Sequence, residues 1–170
     1  VRSFLLIAGL GVGWGCSDKS YDYGSDDDDE NDAGSFDGTS SISAGNWHTC
    51  ALDSSGNIEC WGWDDDGQVS DTPSGSGYTA VGAGWYHSCA LDSSGGIQCW
   101  GVKDEGTGDY GQVSDTPVGS GYLALTVGDR HNCVLDASGE IQCWGREDQT
   151  SGVPMNGEYI VLSAGGSQSC

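Results

Sequence analysis

One short pattern occurs three times along the chain, each time with two cysteines at the same places. It reads H-x-C-[AV]-L-D-[SA]-S-G-x-I-x-C-W-G and covers residues 48–62, 87–101 and 131–145. A fourth copy begins at residues 163–170, and the first cysteines of the four copies are 39, 44 and 37 residues apart. Repetition at this period predicts one supersecondary unit stacked several times, because a single short unit cannot bury its apolar face alone.

Each copy of the pattern predicts a β-hairpin. A three-residue turn ending in glycine lies between two alternating runs, which is a favoured hairpin connection. Centring the first turn on Ser55 pairs Leu52 with Ile58 and Cys50 with Cys60 on one face of the hairpin. Opposed residues are close enough for a disulfide with slight adjustment. The same register in the other copies predicts the disulfides Cys89–Cys99 and Cys133–Cys143.

The rest of each repeat also favours strands. Short β-branched and aromatic runs occur at residues 41–45, 78–82 and 122–127. The 30 glycines oppose helices, and no segment shows sustained helical periodicity. The spacing therefore predicts an all-β fold of blades with about four short strands each.

The motifs resemble a known repeat family. The segments G-N-W-H-T-C-A-L at 45–52, W-G at 61–62 and G-Q-V-S at 67–70 are similar to the repeat of the regulator-of-chromosome-condensation family, and the match recurs over residues 41–170. Known members are seven-bladed β-propellers. The resemblance implies β-propeller repeats at 41–80, 81–124 and 125–160 and a partial one at 161–170. About three blades and the start of a fourth therefore predict a truncated seven-bladed propeller.

The departures from the family pattern are informative. The Cys pair is typical of exported bacterial versions, whose superfamily includes a propeller that inhibits β-lactamase. Val-Ser replaces the usual Leu-Gly after Gln68 and Gln112, and residues 146–150 lack the G-Q loop. Family functions range from nucleotide exchange on a small GTPase to that enzyme inhibition, so the resemblance does not determine the function.

The first 40 residues predict export and anchoring. Arg2 and the apolar run 4–12 are typical of a signal peptide, assigned to residues 1–15. Gly15-Cys16 resembles the end of a lipobox, which predicts lipidation of Cys16; ordinary cleavage and an uncleaved anchor are the alternatives. Residues 16–40 are strongly acidic and predict a disordered tether. We expect an outer-membrane or cell-surface lipoprotein, with a periplasmic or secreted protein as the alternative.

Charge and cysteine content limit the partners and the compartment. The net charge of −21 argues against a nucleic-acid partner, because phosphate binding needs Lys and Arg. Eight cysteines after an export signal favour an oxidising compartment. Cys170 lacks the partner that a complete fourth hairpin would supply. We therefore expect self-association through open blade edges or through Cys170.

The repeated histidines and tryptophans have simple structural interpretations. His48, His87 and His131 each precede a cysteine by two positions, a spacing that could supply zinc ligands. We predict instead that each histidine hydrogen-bonds to a backbone carbonyl, since a disulfide leaves no thiolate. Tryptophans that follow the second cysteines predict packing between blades; they are Trp61, Trp100 and Trp144.

Acidic loops follow the Trp-Gly dipeptides. Asp64, Asp65 and Asp66 could bind calcium weakly, although the EF-hand spacing fails in the Asp-rich stretch from Asp27. A solvated charged loop is the default prediction, and no other cofactor is expected.

The non-repeated aromatic residues and the variable loops are the candidates for recognition, because loops on a rigid scaffold carry function. The candidate residues are Trp63, Asp64, Asp65, Asp66, Trp85, Lys103, Asp104, Glu105, Asp109 and Tyr110. No catalytic motif such as G-x-S-x-G occurs.

Three hypotheses about function follow. The first is a non-enzymatic lipoprotein whose propeller platform recognises a protein or a glycan. The second is a hydrolase or lyase that uses a propeller face. The third is a calcium-stabilised structural repeat protein.

Overall fold

The computed structural model describes residues 41–102, 108–154 and 157–167. Its nine strands form three separate three-stranded antiparallel sheets, each with its strands in chain order. The first sheet contains β1 (Ile42–Ala44), β2 (His48–Leu52) and β3 (Ile58–Gly62). The second contains β4 (Tyr78–Ala83), β5 (His87–Asp92) and β6 (Ile97–Gly101), and the third contains β7 (Tyr122–Val127), β8 (His131–Asp136) and β9 (Ile141–Gly145). One short helix, α1 (Glu147–Thr150), follows the third sheet.

The hairpin register predicted from the sequence is confirmed. Cys50 lies opposite Cys60 and Leu52 lies opposite Ile58, and the other two hairpins repeat this pairing. Gly56 ends the first turn with φ of 75°, a left-handed conformation that glycine adopts without steric cost. The opposed cysteines form the disulfides Cys50–Cys60, Cys89–Cys99 and Cys133–Cys143.

Each sheet has three strands in the described residues, not the four or so that the spacing predicts. Turns and bends occupy most of the segment that follows β3. Asp64 Oδ1 accepts hydrogen bonds from the backbone amides of Val69 and Ser70, both at 2.8 Å. Gln68 Oε1 accepts another from the amide of Asp66 at 2.9 Å. These bonds satisfy the backbone locally, so the segment does not add a strand to the sheet.

Consecutive sheets pack against each other as blades of a partial β-propeller. The first strands of the blades are adjacent, since β1 contacts β4 and β4 contacts β7. Glycine allows this approach: a Cβ atom added to Gly84 would lie 2.6 Å from the carbonyl oxygen of Gly128, and one added to Gly128 would lie 2.9 Å from that of Gly165. Any larger residue at these places would push neighbouring blades apart.

The hydrophobic core lies between blades. Cys50 and Leu52 of the first blade pack with Val81, Ala90 and Trp100 of the second. Burial of apolar surface therefore stabilises the arrangement of blades, and a single sheet does not contain its own core.

Two of the three repeated tryptophans join neighbouring blades. Trp100 Nε1 donates to the carbonyl of Gln68 at 3.0 Å, and Trp144 Nε1 donates to the carbonyl of Gln112 at 3.1 Å. Both indoles are nearly fully buried. Trp61, in contrast, is 48% exposed in the described part of the chain. The prediction that Trp61 packs between blades is therefore wrong. The reason is positional, since Trp100 and Trp144 are covered by the loop of the preceding blade.

This difference predicts unequal effects for one substitution at equivalent sites. Trp100→Phe removes the indole donor and leaves the Gln68 carbonyl without it, which we expect to lower the free energy of unfolding by about 1–3 kcal/mol. Trp61→Phe serves as the matched control and should cost less than about 0.5 kcal/mol, as for other exposed sites. Urea unfolding followed by far-UV circular dichroism measures both values. Equal losses in the two variants would contradict the role assigned to the buried bond.

Candidate functional site

The repeated histidines link each blade to the next through side chains. His48 Nε2 shares a hydrogen bond with Ser88 Oγ at 2.7 Å, and His87 Nε2 lies 2.8 Å from Asn132 Oδ1. Ser88 and Asn132 each follow the histidine of the next repeat. The predicted backbone-carbonyl partner is therefore wrong for these two histidines. The partner position carries Ser in one repeat and Asn in another. Because of this variation, the pairing cannot be recognised from the repeat pattern.

The hydrogen-bond network determines the tautomer of His87. Asn132 Nδ2 donates to the carbonyl of Gln112 at 2.9 Å, which turns Asn132 Oδ1 towards the imidazole. His87 therefore donates from Nε2. Burial lowers the pKa of His87 to about 4, so the imidazole is neutral near pH 7. Burial also lowers the pKa values of His48 and His131 from the ordinary value.

These histidines have no metal-binding arrangement in the described residues. The nearby cysteines form disulfides and have no free thiolate. No group of three or more His, Cys, Asp or Glu side chains in residues 41–102, 108–154 and 157–167 is placed to hold an ion. The Asp64 carboxylate instead accepts hydrogen bonds from the amides of Ser70 and Val69 in its own loop. These hydrogen bonds lower the pKa of Asp64.

One surface of the blades combines the segment before each histidine with the segment after each Trp-Gly. We call this surface the loop face. The two segments are joined by a backbone hydrogen bond in every blade: Trp63 N to Trp47 O, Val102 N to Tyr86 O, and Arg146 N to Arg130 O, at 2.9–3.0 Å. The repeat therefore places these six side chains at equivalent positions.

The first blade presents aromatic residues on the loop face. The ring centroids of Trp47 and Trp63 are 6.4 Å apart, and the planes are tilted by 46°. The two side chains are 57% and 49% exposed. The predicted recognition residues Asp64, Asp65 and Asp66 follow directly and lie at the surface or half-buried. This end of the loop face is thus aromatic and acidic.

The second and third blades contribute a cluster of aromatic and arginine side chains. Trp85 stacks on Tyr86 with centroids 5.5 Å apart. The Arg130 guanidinium carbon lies 4.5 Å from the Trp85 ring centroid and 5.2 Å from that of Tyr110. Arg146 lies 5.3 Å from the Tyr110 centroid. The structure thereby brings the predicted residues Trp85 and Tyr110 together through Arg130.

Comparison with known proteins identifies the repeat. A family model described as the regulator of chromosome condensation (RCC1) repeat matches residues 40–68, 78–112 and 123–150. The chain belongs to this family. The three matched segments contain the three hairpins, so the RCC1 repeats coincide with the blades and confirm the β-propeller fold.

Solved structures show the same fold. The ectodomain of the receptor kinase CR4 from Physcomitrella patens is 30% identical, with a TM-score of 0.55, and the match covers 73% of this chain and 35% of that one. The CRINKLY WD40 ectodomain of the Arabidopsis thaliana receptor kinase ACR4 is 25% identical, with a TM-score of 0.57 and coverage of 74% and 42%. Prp20p from Saccharomyces cerevisiae is 21% identical, with a TM-score of 0.55 and coverage of 74% and 40%.

The match is partial in length. The RCC1 repeats described here span less than half of each of these solved chains. No curated protein sequence matches the chain.

Several residues singled out in the sequence lie outside the described part of the chain. These residues are Lys103, Asp104 and Glu105, which follow β6 in the sequence, and Cys16. Asp109 is described, and its Oδ1 accepts the amide of Gly111 at 2.8 Å. Within the described residues, no helix is both long and apolar enough to cross a bilayer.

Arg130 is a member of the site that was not predicted from the sequence. Arg130 occupies the same repeat position as Trp47 and Tyr86, directly before the histidine. Alignment of the repeats could have indicated that Arg130 lies on the same surface as Trp47 and Tyr86. The pattern was not recognised, because arginine differs in chemistry from these aromatic residues.

The buried histidines predict a stability that falls in mild acid. The pKa of His87 has its ordinary value of 6.5 in the unfolded chain but is about 4 in the folded chain. The unfolded state therefore binds more protons between these values, and the free energy of unfolding should fall as the pH decreases through this window. The full contribution of His87 is about 3 kcal/mol.

Urea unfolding between pH 7.5 and about 4 measures this effect. His87→Gln keeps a side-chain donor, as Gln168 does at the equivalent position of the fourth copy. This variant should show a smaller loss of stability across the window. An identical pH dependence in the wild type and the variant would rule out His87 as its source.

Proposed function

We propose that the protein is a non-enzymatic recognition module whose loop face binds a protein or a glycan. The observation that carries this proposal is the exposed Trp47–Trp63 pair, held on a disulfide-linked blade. Tryptophan is enriched among residues that dominate binding energy, since it buries a large area with little loss of conformational freedom. Both indoles lie next to each other and remain about half exposed in the described residues.

Structural neighbours support a protein as the partner. The structure of Prp20p is described together with its binding to Gsp1p and histones, and another yeast RCC1 (Prp20) structure holds it bound to Kap60. Two further neighbours are receptor-kinase ectodomains. These relationships concern the propeller scaffold, so the loops of this chain would determine which partner it binds.

The chemistry of the described residues supports a non-enzymatic role. The three histidines are engaged between or within blades and have lowered pKa values, which makes them poor general acids near neutral pH. The Asp53, Asp92 and Asp136 carboxylates accept hydrogen bonds within their own hairpin turns. These groups therefore serve the scaffold.

Binding should depend on the exposed tryptophans. The double variant Trp47→Ser/Trp63→Ser removes most of the apolar contact area at the first blade, and we expect binding to weaken by at least about tenfold. Arrays of purified envelope proteins and of glycans, probed with the fluorescently labelled chain, measure this change. Val118→Ser is the control, because Val118 is fully exposed in the segment between β6 and β7, outside the first blade.

Two results would contradict the proposal. One is equal binding of the wild type and the tryptophan variant to every array component. The other is turnover of glycosides or esters by the purified protein, which would favour the hydrolase or lyase hypothesis.

We further propose that the module is an exported lipoprotein anchored through Cys16. The apolar run 4–12 before Gly15-Cys16 supports this, and so do the three disulfides, which favour an oxidising compartment. An acidic segment between Cys16 and the first blade would act as a tether that holds the loop face away from the membrane.

Lipidation has a direct test. Metabolic labelling with an alkyne fatty acid should mark the protein expressed from its full gene, and Cys16→Ser should abolish the label because it removes the acceptor thiol. Cys170→Ser is the matched control and should keep the label. Equal labelling of the Cys16 variant would refute the anchor.

A further inference from the structure

Arg130 differs from the other described arginine in its lack of an acidic partner. Arg146 Nε pairs with Asp148 Oδ1 at 2.7 Å. In the described ranges, no carboxylate lies within ion-pair distance of Arg130, and its buried Nε has no hydrogen-bond acceptor. Its contact with the Tyr110 hydroxyl, at 3.4 Å from Nη1, is long. A partly buried guanidinium with so few acceptors is costly unless another group supplies one.

A shortage of acids does not explain this unpaired charge. The chain has 26 Asp and Glu residues against five Lys and Arg. Asp129 precedes Arg130, yet the Asp129 carboxylate lies beside Gly166 near the inner strands. Asp109 Oδ1 accepts the amide of Gly111 in its own loop, and its Oδ2 is buried without a hydrogen-bond partner in the described residues. Neither of these two described acids therefore pairs with Arg130.

The aromatic rings hold the guanidinium in one place. Arg130 lies over Trp85 and beside Tyr110, and Trp85 in turn stacks on Tyr86. Cation–π contacts engage the flat surface of the guanidinium and leave its N–H edge for a planar acceptor. A carboxylate fits that edge, because two parallel N–H···O bonds match its geometry.

Building on the proposed function, we infer that Arg130, held against Trp85 and Tyr110 on the loop face, binds a carboxylate side chain of a protein partner whose surface is otherwise basic. The net charge of −21 repels a polyanion but attracts a basic protein. A single Asp or Glu on such a protein can pair with Arg130 while basic residues face the acidic loop at the first blade. The surface beside Arg146 and Tyr110 is shallow and open, which suits a protein surface better than a single sugar.

Paired synthetic peptides test this inference on the full chain. Both peptides of a pair have a net positive charge and a central leucine. Beside this leucine, one peptide carries Glu and the other carries Gln. We expect the wild-type protein to prefer the Glu peptides by about tenfold, a typical effect of one charge-assisted hydrogen-bonded pair. Arg130→Gln should abolish this preference. Lys19→Gln, which removes one positive charge from the acidic N-terminal segment, should retain it.

A second variant separates binding from packing. Arg130→Lys keeps a cation over the rings but loses the planar fork, so it should fold as the wild type does and show a reduced Glu preference. A lower melting temperature in Arg130→Gln with an unchanged Glu preference would mean that Arg130 only joins the blades, and would overturn the inference. A different pattern would favour an acidic glycan as the ligand and would overturn the inference. In this pattern the wild type binds oligogalacturonate and shows no preference for the Glu peptides, and Arg130→Gln loses the binding to oligogalacturonate.

The experiment also separates this inference from the proposed function. Peptide binding that depends on Trp47 and Trp63 but not on Arg130 would leave the recognition module intact and reject the carboxylate site. Absence of binding to every peptide and array component would reject both.

Discussion

The side-chain hydrogen bond from a buried histidine to the following blade is the interaction on which the rest of the structure depends. His48 pairs with Ser88 and His87 pairs with Asn132, in sites from which water is excluded. Leaving such a group without its partner costs about 1–3 kcal/mol, so each blade stabilises the position of its neighbour. Glycines such as Gly84 permit the required close approach of the inner strands. Stability in such a repeat protein is approximately a sum of blade terms and interface terms, and here much of the core belongs to the interface.

The loop face follows from the same contacts. The residue before each histidine and the residue after each Trp-Gly are bonded through the backbone in every blade. Because the histidine and the disulfide hold these two points, the exposed side chains between blades have fixed relative positions. Evolution of such a surface can change the chemistry at one repeat position without disturbing the scaffold. Trp47, Tyr86 and Arg130 illustrate this, since they occupy one position with different side chains.

Charge is unevenly distributed over this surface. The first blade carries Asp64, Asp65 and Asp66 beside its two exposed tryptophans, whereas the third carries Arg130 and Arg146. The Asp64 carboxylate is occupied by amide hydrogen bonds of its own loop, while the Arg130 guanidinium lies over an indole without a carboxylate in the described part of the chain. A partner that complements both ends needs basic residues at one side of its contact surface and an acidic residue at the other.

The repeat, the hairpin register and the disulfide pairs can all be predicted from the amino-acid sequence. These features depend on contacts close in the chain, where strand alternation and turn length leave one consistent pairing, as for Cys50 and Cys60. The contacts between blades become visible only in the folded chain. The partner of His87 is 45 residues away and varies between Ser and Asn among repeats, so local pattern does not identify it. Likewise Trp61 and Trp100 have the same local sequence context, but among the described residues a preceding loop covers Trp100 and not Trp61. The position of Arg130 in the site also could not be predicted from local sequence, because its aromatic neighbours come from another blade. Burial depends on what packs against a residue in space.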